Sequence, residues 1–351
     1  MNTRDTLKIN EKGHLEIGGA DCVTLAEQFG TPLYVFDEAY IRRMMRVYQD
    51  TIDAEYDGNG LVLYASKAFS CEAIYAIAKQ EKIGVDVVSG GELYTAMQAG
   101  FPAEKITMHG NNKLPREISY ALDCGVGTIV LDEYSEADLL EAEAEKRGIV
   151  QNVLIRINPG VEAHTHAYVQ TATPDSKFGF SIASGAAQQF TQYVLGKKHL
   201  RLMGYHCHIG SQIFEKQSFV LAVQKDLAFM AEVKRALGFE AEVLNMGGGF
   251  GIWYTDELLA AVREGCREHG LKLPFINIEP GRSIVGEAGI TLYTVGAIKE
   301  IPGIRKYLAI DGGMFDNPRF ALYQSKYTAV LANRANETPT EIVALAGKCC
   351  E

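Results

Sequence analysis

Eight short β-prone apolar runs, separated by stretches of helical periodicity, constrain this chain more than any other feature. The runs occupy residues 61–64, 85–88, 106–109, 128–131, 153–157, 203–209, 243–246 and 275–278. Between them, segments such as 71–80, 91–99, 135–147, 218–237 and 256–268 repeat apolar residues at helical spacing. Eight strands alternating with helices predict an α/β protein built on a (β/α)8 barrel of the TIM type, with an open doubly wound sheet as the alternative.

Local chemistry marks several boundaries. Ser135, with Asp138 three residues on, reads as a helix start, and Gly148 after Lys146 and Arg147 reads as its end. Ser70 is expected to cap the helix that follows Lys67. The flanks are different. Residues 1–35 alternate short polar and apolar pieces, and runs at 290–298, 307–310 and 341–346 are separated by Pro302-Gly303 and Gly312-Gly313 turns. These predict antiparallel strands without crossover helices. The expected division is a barrel over 36–283 and a discontinuous β-rich domain from 1–35 and 284–351, its C-terminal part missing.

Composition removes several classes of function. The 351 residues are 47% hydrophobic and 22% charged, with a formal net charge of -10. That is an ordinary soluble composition, and without a basic stripe it argues against nucleic acid. No apolar stretch approaches the roughly 18 residues that span a bilayer, and residues 1–10 lack the apolar core of a secretory signal. The seven cysteines are odd in number, scattered and without a CxxC pair. Reduced thiols in a cytoplasmic protein without structural zinc are expected.

In a barrel, reacting groups collect at the C-terminal ends of the strands. Lys67 stands just past the first run, where a lysine can be held in a fixed pose, partly desolvated, and made nucleophilic for Schiff-base formation with an aldehyde cofactor. Asp86 lies in the second run, His109 ends the third, Arg156 lies in the fifth, and His206 and His208 share one face of the sixth. The seventh ends in Gly247-Gly248-Gly249-Phe250-Gly251. That spacing breaks the dinucleotide GxGxxG pattern but lets backbone N–H groups surround a phosphate. The eighth ends in Glu279-Pro280-Gly281-Arg282, a carboxylate able to pair with a protonated ring nitrogen beside a guanidinium able to clamp an anion. Ser211 would add a hydroxyl to a phosphate site. A metal reading of His206 and His208 needs further ligands, which His164 and His166 could supply.

Tyr64-Ala65-Ser66-Lys67, the stretch from His206 to Gln212, the glycine run, Glu279-Pro280-Gly281-Arg282 and the stretch from Asp311 to Tyr323 together resemble the diaminopimelate decarboxylase family. That family belongs to the fold-type III pyridoxal 5'-phosphate enzymes, with ornithine and arginine decarboxylases and alanine racemase. The resemblance runs through nearly the whole chain in order and spacing. It implies that Lys67 carries the cofactor covalently, that His208 lies against its ring and that Glu279 pairs with the ring nitrogen. It implies further that Asp86 and Arg156 support the ring. Ser211, Gly247, Gly248, Gly249, Pro280, Gly281 and Arg282 are implied as phosphate-side contacts.

Arg282, Arg319, Tyr323 and Glu351 are implied to grip a small amino-acid substrate. Cys350 is implied to return a proton in trans across a homodimer, making Lys67, His208 and Cys350 the catalytic set. The family's Cys-Glu-Ser-Gly-Asp motif begins here with Cys350-Glu351, so the expectation is a chain truncated relative to the family. The reaction implied is decarboxylation of meso-2,6-diaminopimelate to L-lysine. Alternatives are an ornithine- or arginine-type decarboxylase and a pyridoxal phosphate-binding protein with impaired activity. Arg319 argues against the first, because a guanidinium there repels a basic substrate arm.

Overall fold

A computed structural model describes residues 6–161, 176–210, 216–249 and 255–349. The chain divides into two compact units, Arg42–Ile284 and the pair of segments Met1–Ile41 and Val285–Glu351.

In chain order the first elements are strands β1 (Leu7–Ile9), β2 (Leu15–Ile17) and β3 (Ala20–Asp21), helix α1 (Cys22–Phe29) and strand β4 (Leu33–Phe36). Asp21 caps α1, its Oδ1 accepting from the Val23 N–H at 2.9 Å. Helix α2 (Glu38–Glu55) leads into strand β5 (Gly60–Ala65), and from there strands and helices alternate. They are α3 (Glu72–Gln80), β6 (Gly84–Val87), α4 (Gly90–Gln98), β7 (Ile106–Met108), α5 (Pro115–Cys124), β8 (Thr128–Leu131) and α6 (Tyr134–Arg147). Next come β9 (Gln151–Asn158), β10 (Phe180–Ser181), α7 (Ala186–Leu195), β11 (Leu200–Cys207), α8 (Lys216–Leu237), β12 (Val243–Asn245), α9 (Thr255–His269), β13 (Phe275–Ile278) and α10 (Arg282–Val285).

The sheet runs β9-β11-β12-β13-β5-β6-β7-β8 with every neighbour parallel, and a further β8–β9 pairing closes it. It is a closed eight-stranded barrel, and all eight predicted runs supply its strands. Short β10 adds to β9 outside the ring. The strands are hidden on both faces, as a parallel sheet wrapped by helices requires: all four residues of β6 are buried, and five of six in β5. Helix α9 turns Leu258, Leu259, Val262 and Cys266 inward, one stripe at helical spacing.

Two expected caps are different. Helix α6 begins at Tyr134, and Glu133 is its cap, accepting from the Ser135 N–H at 2.6 Å. A carboxylate does this as well as a hydroxyl, and it suits the positive end of the helix. Gly148 ends that helix with φ 63, as expected. The Ser70 hydroxyl pairs instead with Tyr75 Oη at 3.0 Å, and Cys71 at the start of α3 makes no side-chain cap.

Helix α8 lies behind β11 with Asp226 and Cys207 in hydrogen-bonding contact, both buried. Burial pushes the Asp226 carboxyl up to about 8. The folded chain therefore keeps a proton that an unfolded aspartate, with a pKa of about 3.9, releases. This contribution is complete at acidic pH and is lost between about pH 4 and pH 8, at up to roughly 1.4 kcal/mol per pH unit. Asp226→Asn is expected to flatten that part of the stability curve. Denaturant unfolding at pH 5 and pH 8 measures it, and parallel curves for the two proteins would show that Asp226 is ionised throughout.

The other unit continues with β14 (Gly289–Leu292), β15 (Val295–Ile301), β16 (Arg305–Ile310), helix α11 (Arg319–Tyr323) and β17 (Ala344–Ala346). The predicted run at 290–298 is thus two strands. The break falls at Tyr293-Thr294, where the Thr294 N–H donates to Asp311 Oδ1 at 2.9 Å. Strand β14 pairs antiparallel with β4, and β15 with β16. The β16–β17 pair is parallel, contrary to the antiparallel expectation. The long connection carrying α11 makes that crossover possible. Leu15, Ile17, Cys22 and Leu292 form a small core, with Leu7, Leu33, Val35 and Ile290 packed on it.

Candidate active site

Strand register brings the polar groups together. Arg156 in β9 stands beside His206 in β11, and His206 beside Asn245 in β12. Glu279 follows β13 directly, and its backbone N–H donates to Gly247 O at 2.6 Å. On the other side of the mouth, Asp86 in β6 is buried and accepts from the Ser66 N–H at 3.3 Å.

Buried Glu279 is the hub. Its Oε1 accepts from Asn245 Nδ2 at 2.7 Å and lies 2.7 Å from His109 Nε2. Its Oε2 lies 3.4 Å from His206 Nε2. Burial alone would raise this carboxyl, but His109 and His206 outweigh it and hold it well below the usual carboxylate range. Asp86 goes the other way. Burial first, and then the charge of Glu279, push it up to about 7 against the pull of Lys67 and His109. Two nearby carboxyls held apart in this way serve different protonation roles at one pH.

Two of the histidines, His206 and His208, are held toward the neutral imidazole. Burial takes His206 down to about 3. His208 is lowered well below the imidazole range by burial and then by Lys67 and Arg156. The Gly248 N–H donates to His208 Nδ1 at 3.1 Å, so any proton on that ring sits at Nε2. Arg156 is lowered by burial despite Asp132 and Glu279, and its guanidinium lies 4.1 Å from the centre of the Phe178 ring.

Lys67 occupies a single 3-10 turn, Ser66–Ala68, at the end of β5, and its side chain is exposed. The expectation of partial desolvation is not met, since the side chain is exposed. Its charge nevertheless reaches Asp86, Glu92 and His208. A backbone stitch fixes it relative to Glu279. The Ala65 N–H donates to Pro280 O at 3.1 Å. A Cβ on Gly281 would meet Ala65 Cβ at 2.9 Å and Ala68 Cβ at 3.0 Å.

The glycine run has a structural reason beyond ligand access. A Cβ on Gly248 would lie 2.1 Å from Glu279 O, and one on Gly247 would lie 2.6 Å from Cys207 O. The N–H groups of Gly247 and Gly248 are committed to Asn245 Oδ1 and His208 Nδ1. Within the run, Gly249 has φ 94, a backbone conformation that favours glycine. Arg282 opens α10 with its side chain exposed.

Arg319 and Tyr323 belong to the other unit, where they share α11, the guanidinium 5.0 Å from the ring centre. Ser211, His164, His166, Cys350 and Glu351 lie outside the described residues. Among the described residues, a metal-compatible set of three ligand atoms exists at His109, His206 and Glu279, all within 4.8 Å of one another, and it does not include His208. The sequence reading passed over Asn245. Its signal was present: an amide inside an apolar strand, which cannot stay buried without a partner.

The donor set suits a pyridoxal cofactor. An amine stands at the end of β5, a buried carboxylate held well below the usual range stands at the end of β13, and both act on the imidazole of His208.

A model of the "Pyridoxal-dependent decarboxylase, pyridoxal binding domain" family matches residues 38–286. The chain is 48% identical to the diaminopimelate decarboxylase of Bacillus methanolicus, across 100% of this chain and 84% of that protein. It is 50% identical to that of Bacillus subtilis, across 100% and 82%. The crystal structure of diaminopimelate decarboxylase from M. jannaschii in co-complex with L-lysine superposes with a TM-score of 0.89. Identity there is 34%, covering 99% of this chain and 82% of that one.

Proposed function

The chain belongs to the pyridoxal-dependent decarboxylase family, and from that premise we propose that it removes one carboxylate from meso-2,6-diaminopimelate to leave L-lysine. The observation that carries the reading is the ionised Glu279 carboxylate, stitched through Pro280 and Gly281 to the turn that bears Lys67. When bound, pyridoxal 5'-phosphate supplies an electron sink for the pair left behind as carbon dioxide departs.

The chain's own residues do the rest. Lys67 Nζ would hold the cofactor at the end of β5. Glu279 would pair with the ring nitrogen and favour its protonated form, and His208 would lie against the ring. Asp86 and Arg156 complete the ring's surroundings. Ser211, Gly249, Arg282 and the backbone at Gly281 hold the phosphate side, with Gly247 and Gly248 shaping that wall. Arg319, Tyr323 and Glu351 select a substrate whose far end carries both an ammonium and a carboxylate. Cys350 Sγ of a second copy returns a proton to the α-carbon, so the working form is a homodimer in the cytoplasm. No helix among the described residues is long and apolar enough to cross a membrane.

The test is carbon dioxide release from meso-diaminopimelate and from ornithine by protein supplied with cofactor. The diacid is expected to be the preferred substrate, and Arg319→Ala is expected to weaken its use about 10- to 200-fold, the loss of one charge-assisted contact. Equal turnover of the two amino acids by the parent chain would overturn the substrate assignment.

A further inference from the structure

We propose that His109 and His206 are positioning residues which, by placing their Nε2 atoms beside the two oxygens of Glu279, keep that carboxylate ionised and aimed at the cofactor's ring nitrogen. The inference rests on the reading of the barrel as a pyridoxal site and assigns work to two histidines outside the set that touches the cofactor.

The geometry starts with His109. Its Nε2 lies 2.7 Å from Glu279 Oε1, within ion-pair range, although the ring is not aligned for a hydrogen bond to that oxygen. His206 Nε2 faces the other oxygen at 3.4 Å. Its Nδ1 is buried with no hydrogen-bond partner, as expected of a neutral ring whose single proton sits on Nε2. The two rings meet edge to face, 4.6 Å between centres at 64°, so each limits the other's rotation. Asn245 Nδ2 donates to Oε1 at 2.7 Å.

The need for such a device follows from the surroundings. Glu279 is buried beside a second carboxyl, Asp86, and both burial and that neighbour favour protonating one of the pair. Among the described residues, exposed Lys67 acts on Asp86 and buried Arg156 on Glu279. Donors fixed on Glu279 decide which carboxyl keeps the charge. A metal ion is the competing occupant of the same three atoms. The direct His109–Glu279 approach and the Asn245 bond already use Oε1.

The experiment is a pH titration of the ring nitrogen, followed by 15N NMR of labelled pyridoxal 5'-phosphate bound to the whole chain. His109→Phe and His206→Phe keep a ring and remove the donor, while His206→Gln keeps an N–H at similar reach. Each phenylalanine variant is expected to lower the ring-nitrogen pKa by about one to two units, the scale of one lost hydrogen bond to a charge. His206→Gln is expected to titrate with the parent. Where a phenylalanine variant does not fold, asparagine, whose amide falls short of Glu279, takes its place with the same expected shift. Donor-less variants that titrate with the parent overturn the proposal, and so does a parent titration that moves with added Zn2+ or chelator. A parent chain that takes up no cofactor at all would remove the pyridoxal reading itself, a distinct failure.

Discussion

Lys67→Ala protein is expected to be colourless after incubation with pyridoxal 5'-phosphate, whereas the parent is expected to be yellow. Carbon dioxide release from meso-diaminopimelate should fall by about 10²–10⁴-fold or more, the scale of removing a positioned catalytic group. Lys67 is an amine held on a one-turn element whose preceding residue is hydrogen-bonded to Pro280. Lys67→Arg should fail equally, because a guanidinium that stays protonated above pH 12 is no nucleophile. The fold should not notice either change. The side chain is exposed, and surface substitutions of this kind stay within about 0.5 kcal/mol. Absorbance, thermal unfolding and turnover on the same samples separate the outcomes. Yellow, active Lys67→Ala protein would remove the assignment.

A stability effect of similar weight is expected at Lys113 and Glu136. The Lys113 ammonium is buried, and it donates to Glu136 Oε1 at 2.6 Å, Val130 O at 2.6 Å and Gly110 O at 2.8 Å. All three of its N–H groups are thereby used. Glu136 Oε2 accepts from the Asp132 N–H at 3.3 Å. Burial pushes the Glu136 carboxyl up despite Lys113, so the pair holds its charges against desolvation. Removing one partner strands the other. Glu136→Leu or Lys113→Met should each cost about 3–5 kcal/mol. In a unit of this size that corresponds to roughly 6–20 °C in the unfolding midpoint. The double variant should recover part of the loss, because no isolated charge remains. A single variant that unfolds within about 1 kcal/mol of the parent would show that water reaches the surviving charge.

These two sites differ in how visible they were in the sequence. Lys67, Asp86, Arg156 and Glu279 could be read because a polar residue in or just beyond an apolar run has one productive address in a barrel, the strand's C-terminal end. The strands themselves could be read because both their faces are buried, which gives continuous apolar runs. Lys113 with Glu136, and Cys207 with Asp226, could not. Each pair joins segments whose partnership exists only once strands and helices have packed. Asn245 was obscured by the glycines beside it. Those glycines drew a phosphate reading, whereas Gly247 and Gly248 are small because neighbouring backbone leaves no space for a Cβ. The caps at Ser135 and Ser70 failed for a local reason: Glu133 and Tyr75 were competing partners at hydrogen-bonding distance. The parallel β17 was missed because its pairing depends on the whole connection from β16.

The ring of strands is sealed where β13 meets β5, the last barrel strand against the first. The amine proposed to tether the vitamin-derived group and the anion proposed to tune it therefore come from opposite ends of the barrel's primary structure and become neighbours only at that seam. During synthesis a ribosome-bound chain lacking β13 would have the lysine without its counterpart, and should retain the aldehyde poorly. Acquisition of colour by a nascent chain would consequently time the sealing of the barrel.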